Sequence, residues 1–149
     1  EDVDALAKEA KALGAKVVNV HGETIMEPVL PGTNLAAAES RHVDILAHPG
    51  LITPMEASVA ARNGVFLEVS ARKSHAFANG HVVATARKAG ARMVLDSDAH
   101  EPRDLLTREF AMKVALGAGL DEQDATDLLD SAPRDLMARL RVGEGAVRP

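Results

Sequence analysis

Hydrophobic and polar positions along the chain follow two alternating spacings. Four short runs have the apolar character of buried strands and cover residues 16–20, 43–47, 65–69 and 93–95. Between these runs, apolar residues recur at helical spacing, and glycines mark the ends of the predicted helices. The first of these helices, for example, ends at Leu13, immediately before Gly14. Strand and helix therefore alternate four times with a period of roughly 25 residues. This pattern predicts an α/β fold made of parallel βαβ units with right-handed crossovers.

The remainder of the chain, after residue 100, has a helical pattern throughout. We expect three helices there, over about 104–116, 121–129 and 132–140. Ser131 is the expected N-cap of the last helix, and Pro133 lies near its start. The length of 149 residues suits one domain. We place that domain over residues 1–142 and expect a flexible tail over residues 143–149.

Composition and charge narrow the classes of partner. Hydrophobic residues make up 46% of the chain but aromatic residues only 2%, so alanine, valine and leucine must supply the packing. The net charge is -5 and no basic cluster is visible, so we expect neither nucleic acid nor an anionic membrane as a partner. No apolar run approaches the ~20 residues of a membrane helix, and we expect a cytoplasmic protein. Since cysteine is absent, any metal must be held by histidine and carboxylate.

Metal-ligating residue types stand where three of the predicted strands end. His21 follows the first strand, His48 the second, and Asp98 and His100 the fourth. In parallel α/β folds the carboxyl ends of the strands share one face, where reacting groups collect. A buried histidine satisfied by hydrogen bonds is the usual explanation for any single one of these, and Asp98 could belong to a turn or a helix cap. Placement of all four at strand ends favours a metal site.

Four ordered motifs carry a family resemblance: His21-Gly22-Glu23-Thr24, Pro31-Gly32-Thr33-Asn34, Asp44-Ile45-Leu46-Ala47-His48-Pro49-Gly50 and Ser97-Asp98-Ala99-His100. They resemble the later motifs of the PHP (polymerase and histidinol phosphatase) superfamily, especially its histidinol-phosphatase-like stand-alone members. The resemblance covers the chain up to the last helices. It implies a distorted TIM-like seven-stranded (β/α) barrel, of which about four parallel strands are present, with a helical C-terminal end.

The resemblance also implies roles for individual side chains. Four residues match metal-ligand positions for two or three divalent ions of Zn, Mn or Fe: His21, His48, Asp98 and His100. Three residues are expected at the phosphate of the substrate: Arg72, Lys73 and His75. A solvated loop is an equally simple interpretation of Arg72 and Lys73. Three carboxylates are expected to orient these groups: Glu23, Glu68 and Asp96. Glu23 could instead be an ordinary carboxylate in the first turn of a helix, and Glu68 could orient Arg72.

The function that the resemblance implies is hydrolysis of a small phosphate monoester by metal-activated water, as in a histidinol-phosphatase-like enzyme of histidine biosynthesis. Two alternatives are an exonuclease or structural PHP domain of a DNA polymerase, and a catalytically inactive remnant that serves as an interaction module. A metal-dependent amidohydrolase would also fit the ligands, but no strand end offers its bridging lysine. The family's opening His-x-His strand is missing from this chain. We therefore expect a piece of a longer protein rather than a true truncation, because half a barrel leaves unpaired sheet edges.

Overall fold

The computed structural model of the protein describes residues 2–27 and 29–144. Within these residues, helices and strands alternate up to β4, and two further helices follow it: α1 (Val3–Ala12), β1 (Asn19–His21), α2 (Thr33–Glu39), β2 (Ile45–Ala47), α3 (Pro54–Asn63), β3 (Phe66–Ser70), α4 (Asn79–Ala89), β4 (Met93–Asp96), α5 (Arg108–Gly117) and α6 (Glu122–Glu144). Two short 3-10 helices cover Ala76–Ala78 and Pro102–Asp104. The predicted tail begins inside α6 at residue 143, and from residue 145 it lies outside the described residues.

The strands form one parallel sheet in the order β1-β2-β3-β4. Each strand is hydrogen-bonded to the next one in sequence, so that His21 lies beside Ala47 and Ser70 lies beside Asp96. The predicted α/β fold with four parallel strands is confirmed at this level. Because all four strands run the same way, their carboxyl ends and the loops after them share one edge of the sheet.

Small aliphatic side chains build the core between the sheet and α2, α3 and α4. Several residues of this layer are fully buried: Ala37, Ala38, Leu46, Ala57, Ala60 and Leu67. Alanines let the helices approach the sheet closely, which suits a chain with few aromatic residues. The opposite face of the sheet carries Ile45, Phe66 and Val94 at the starts of the strands, and α6 packs against them. Further along the same face, period-two alternation places Glu68 and Asp96 near the strand ends.

The helix predicted to start near residue 104 begins four residues later, so that boundary was wrong. The carboxylate of Asp104 accepts hydrogen bonds from the backbone N–H groups of His100 and Glu101, both at 3.0 Å. These bonds close a 3-10 turn instead of opening an α-helix. Helix α5 starts only after Thr107, whose hydroxyl accepts a hydrogen bond from the N–H of Phe110.

Helix α6 is one helix of 23 residues where two were predicted, so the break expected near Ser131 and Pro133 was wrong. Apolar residues on both sides of the proline are packed against the rest of the protein: Ala125, Leu128, Ala132 and Leu136. Burial of this stripe outweighs the hydrogen bond that Pro133 cannot donate. Among the residues that the structure describes, no helix combines the length and the apolar character needed to cross a membrane.

Candidate functional site

Three imidazole rings cluster where the first three strands end. His21 is the last residue of β1, His48 follows β2, and His75 lies in the loop after β3. One ring nitrogen of each lies within 4.8 Å of those of the other two. The ring of His48 is stacked on that of His75 with centroids 4.0 Å apart and meets that of His21 edge-on at 4.4 Å. The parallel sheet therefore brings together side chains that are about 27 residues apart in sequence.

The same atom, Nδ1, holds each of the three rings in place. The three hydrogen bonds join His21 to the carbonyl of Gly22 at 2.9 Å, His48 to the carboxylate of Glu68 at 2.8 Å, and His75 to the hydroxyl of Thr24 at 3.0 Å. A histidine that binds a metal generally makes such a bond through its other nitrogen, which fixes the orientation of the ring. The arrangement leaves Nε2 of all three rings for a ligand.

Two carboxylates lie beside these nitrogens. The carboxylate oxygens of Glu27 lie 3.6 Å from Nε2 of His21 and 3.7 Å from Nε2 of His75. Oδ2 of Asp98 lies 3.5 Å from Nε2 of His75. Imidazole nitrogens combined with carboxylate oxygens are the donor set of zinc, manganese and iron sites. The chemistry of the donors fits a divalent metal ion.

Two buried polar atoms near the rings have no hydrogen-bond partner: Nε2 of His48 and Oε1 of Glu68. The side chains of these residues are only 5% and 1% exposed. Buried polar groups in proteins are almost always paired, and an unpaired one costs about 1–3 kcal/mol. A metal ion bound to Nε2 would remove that cost at His48, so the unpaired nitrogen is consistent with a metal ligand.

The backbone at the site is strained at two non-glycine positions. His48 has a φ of 30° and Asp98 a φ of 45°, in the left-handed region that side chains other than those of glycine rarely occupy. Gly50, two residues after His48, has a φ of 58°, and a Cβ atom there would lie 2.0 Å from the carbonyl oxygen of Glu23. Such conformations persist only where the surrounding structure holds them, and they concentrate at functional sites.

Glu68 and Asp96 form a carboxyl pair below the rings, and their pKa values move apart. Burial and the neighbouring charge of Glu68 raise the pKa of Asp96 to about 7. Burial also disfavours the ionised form of Glu68, but hydrogen bonds, chiefly the one from His48, lower its pKa below the usual value. The negative charge of the pair therefore resides on Glu68, where it faces His48.

The pKa values of the two buried rings shift in opposite directions. Burial favours neutral His48, but the hydrogen bond and the charge of Glu68 outweigh it and raise the pKa of His48. Burial, followed by the positive charge of His48, lowers the pKa of His75. The lowered pKa of His75 favours its neutral form, which is the form that binds a metal, whereas His48 would have to release a proton to bind one.

Of the four predicted metal ligands, the structure places His21 and His48 in the cluster and Asp98 beside it. His100 lies outside, because its side chain is 60% exposed and its Nδ1 lies 2.8 Å from the carbonyl oxygen of Asp98 and 2.6 Å from the guanidinium of Arg72. His75, which was expected at a phosphate, is the third imidazole of the cluster together with His21 and His48. That the predicted residues bind metal stays a prediction.

The other predicted site residues have mixed positions. Arg72 donates a hydrogen bond to the carbonyl oxygen of Asp98 at 3.1 Å, and Lys73 is exposed beside it. Glu68 bonds His48 rather than Arg72, since one oxygen accepts both the backbone N–H at 2.7 Å and Nδ1 at 2.8 Å. The carboxylate of Glu23 accepts hydrogen bonds from the N–H of Gly32, the N-cap residue of α2, and from that of Asn34 in its first turn. It acts as a cap of that helix.

Three residues of the cluster carried no clear signal in the sequence as metal-site residues: Thr24, Glu27 and His75. Thr24 belongs to the first quoted motif, and His75 lies three positions after Arg72, but neither position indicates a direction for its side chain. The contact between Thr24 and His75 spans 51 residues. Only the folded loops bring these groups together.

Comparisons with known proteins find relatives in sequence and chains of similar fold among solved structures. No family model matches the chain. An uncharacterized protein of Methanocaldococcus jannaschii is 43% identical over 140 residues, which covers 94% of this chain and 64% of that protein. Ribonuclease P protein component 3 of Methanosarcina mazei is 31% identical over 147 residues, and that of Methanosarcina acetivorans is 29% identical over 147 residues. Each match covers 89% of this chain and 59% of the relative.

One of these solved structures is a cryo-EM structure of archaeal ribonuclease P with mature tRNA. A chain in it shares the fold with a TM-score of 0.68 at 17% identity, over 94% of this chain and 63% of that chain. The present chain thus spans about three-fifths of the length of the proteins that it matches.

These matches contradict the expected PHP membership and the functions that followed from it. The named relatives are protein components of ribonuclease P, so the histidinol-phosphatase-like hydrolase of histidine biosynthesis was wrong, and so were the DNA polymerase domain and the PHP remnant. Histidine, aspartate, glycine and proline are common in the βα loops at strand ends. Proteins with different chemistries share such loops, so these motifs alone do not identify a function.

The expected partners, a small phosphorylated substrate and no nucleic acid, were also wrong. A solved structure with the same fold is of archaeal ribonuclease P with mature tRNA, and two of the curated relatives are named as protein components of ribonuclease P. A net charge of -5 is a sum over the whole chain. It does not report how cationic side chains are distributed over one face of the molecule.

Proposed function

We propose that this chain is part of a protein component of an RNA-processing ribonucleoprotein of the ribonuclease P kind. The observation that carries the proposal is the 31% identity over 147 residues to ribonuclease P protein component 3 of Methanosarcina mazei. The shared fold with a chain of archaeal ribonuclease P supports it. In such a particle, the protein would contact RNA and neighbouring protein subunits.

The proposal extends to the architecture of the intact protein. Strands that follow one another in a parallel sheet, with helices between them, are what one arc of a closed (β/α) barrel contains. Within the described residues β1 pairs with another strand on one side only. We infer that further strands complete a barrel in the intact protein, and the total of seven strands stays a prediction.

The test is to cross-link the intact protein to RNA with ultraviolet light in the cells that make it, and to sequence the RNA that purifies with it. The expected result is enrichment of the ribonuclease P RNA or of precursor tRNA over an untagged strain. Recovery of RNA no richer in these species than the untagged control would overturn the proposed function.

A second proposal concerns the histidine cluster, which we infer to be a metal site. Nε2 of His21, His48 and His75 would hold one divalent ion, with Asp98 as the nearest carboxylate on a β-strand loop. A tetrahedral zinc site places its ligand nitrogens about 3.4 Å apart, and one nitrogen of each ring already lies within 4.8 Å of one nitrogen of each of the other two rings. The ion would supply positive charge and link the ends of β1, β2 and β3. A second or third ion stays a prediction.

Metal titration of single variants distinguishes a ligand set that contains His75 from one that contains His100. Binding of Zn, Mn(II) and Fe(II) is measured by calorimetry on the wild type, on His75→Ala and on His100→Ala. His75→Ala is expected to lose at least about tenfold in affinity, whereas His100→Ala should bind as the wild type does. A loss with His100→Ala as large as that with His75→Ala would overturn the assignment of His75.

A further inference from the structure

A cleft of about 600 Å³ opens beside the histidine cluster. The loop after β3 forms one wall, and the segment between β4 and α5 forms the other together with Phe110 in the first turn of α5. The side chains that matter for its chemistry are Arg72, Lys73, Ser97, Arg103, Leu105 and Phe110. Its volume lies within the range of protein pockets that hold small ligands, and one or two nucleotides fit a space of that size.

Three cationic side chains line the cleft of a chain that is acidic as a whole. In the part of the chain that the structure describes, Lys73 has neither a hydrogen bond nor an ion pair from its ammonium group. The acidic groups of the cleft are already engaged within the protein. Glu101 pairs with the guanidinium of Arg103 at 2.8 Å, and the carboxylate of Asp104 accepts from two backbone N–H groups. The free positive charge at Lys73 is therefore available to an anion.

Exposed apolar side chains stand in the same cleft. Phe110 is 50% exposed and Leu105 is 69% exposed. The chain has only three phenylalanines, and Phe110 is not used in the core. A solvent-exposed aromatic ring beside cationic side chains is the combination that binds single-stranded RNA. An unstacked base packs on the ring while a free cation such as Lys73 neutralises a phosphate of the same nucleotide. The paired bases of a duplex remain stacked on each other and cannot do so.

We propose that this cleft binds one or two nucleotides of single-stranded RNA, with a base against Phe110 and a phosphate at Lys73. The inference rests on the proposed function and names the surface through which the chain would contact RNA. Arg72 lies between the cleft and Asp98 and would place the bound phosphate next to the histidine cluster.

The test measures fluorescence anisotropy of a labelled ten-nucleotide single-stranded RNA with the intact wild-type protein and four variants of it. Phe110→Leu removes the ring but keeps an apolar side chain, and Lys73→Gln removes the charge. Their matched controls are Phe77→Leu, since Phe77 is 71% exposed outside the cleft, and Lys88→Gln at an exposed position of α4. Circular dichroism checks that every variant is folded.

We expect Phe110→Leu to weaken binding by about 5- to 100-fold, as the loss of one stacked base does. Lys73→Gln should lower the slope of log affinity against log salt by about 0.7, the value for one phosphate contact with a single strand. Both controls should bind as the wild type does. A duplex of the same sequence should bind more weakly and should not respond to Phe110→Leu.

The outcomes separate this inference from the proposed function. If the wild type binds RNA but Phe110→Leu and Lys73→Gln match their controls, the assignment of the cleft as the RNA-binding site is overturned while the proposed function stands. If the wild type does not bind the single strand, the cleft is again overturned. The proposed function fails only if cross-linking in cells also recovers no ribonuclease P RNA or precursor tRNA.

Discussion

At the scale of single residues, one oxygen of Glu68 organises His48. It accepts the backbone N–H at 2.7 Å and the ring Nδ1 at 2.8 Å, so a single buried carboxylate fixes both the main chain and the ring of the same residue. This double hold is what maintains the positive φ of His48. It also leaves Nε2 as the atom that a metal would bind.

Glu68→Gln is predicted to weaken zinc binding by about 10- to 100-fold, because the neutral amide no longer supplies the charge that orients and polarises the ring of His48. Isothermal titration calorimetry with zinc measures the effect. Glu39→Gln, on the exposed side of α2, is the control and should leave the affinity unchanged. Equal affinity in the wild type and Glu68→Gln would contradict the proposed role of Glu68 at the metal site.

Gly50→Ala is predicted to destabilise the protein by more than about 2 kcal/mol, because the residue needs a positive φ and an added Cβ would meet backbone. That Cβ would lie 2.0 Å from the carbonyl oxygen of Glu23. Urea unfolding gives the free energy of unfolding. The matched control is Gly117→Ala at the end of α5, where nothing lies within 4 Å and stability should be kept or slightly raised. Similar stabilities of the two variants would refute the close approach of the loop that contains Gly50 to the loop that contains Glu23.

At the scale of elements, periodicity located the strands and helices well, and their boundaries less well. The second, third and fourth strands begin and end within two residues of their predictions. The first strand was predicted to start at residue 16 but starts at Asn19. The reason is a tertiary contact, since the N–H of Val18 donates to the carboxylate of Asp44 at 2.8 Å, which also pairs with Lys11. A side chain 26 residues away thus replaces a ladder hydrogen bond.

Pro133→Ala is predicted to raise the free energy of unfolding by about 1 kcal/mol or more, because alanine restores a hydrogen bond inside α6 and relieves the clash of the ring with the preceding turn. Equilibrium urea unfolding followed by circular dichroism is the measurement. Arg134→Ala, at the next position and also exposed, serves as the control for loss of a surface side chain. A stability that is unchanged or lower would favour the two separate helices that the sequence predicted.

At the scale of the whole molecule, the parallel sheet gathers the end of each strand at one edge. The histidine cluster joins the first three strands, and the contact between Asp98 and His75 adds the fourth. A ligand that binds the folded cluster and not the unfolded chain must stabilise the whole fold by mass action. The site therefore makes a prediction about global stability.

Zinc at ten times its dissociation constant is predicted to add about 1.4 kcal/mol to the free energy of unfolding and to raise the melting temperature accordingly. Differential scanning calorimetry with and without zinc measures this shift. In His48→Ala, which removes the buried nitrogen without a partner, the shift should disappear. A shift of the same size in His48→Ala would mean that zinc binds elsewhere, and it would contradict a metal site in the cluster.

The sequence by itself determined the alternation of strands and helices, the aliphatic core and the placement of His21, His48 and Asp98 at strand ends. These features follow from the period and burial of neighbouring positions, which local sequence encodes. The tertiary structure alone decided that His75 rather than His100 completes the cluster, that Glu68 holds His48, and that α6 continues past Pro133. Each depends on hydrogen bonds or packing between distant parts of the chain, such as the 51 residues between Thr24 and His75, whose partners no local pattern specifies.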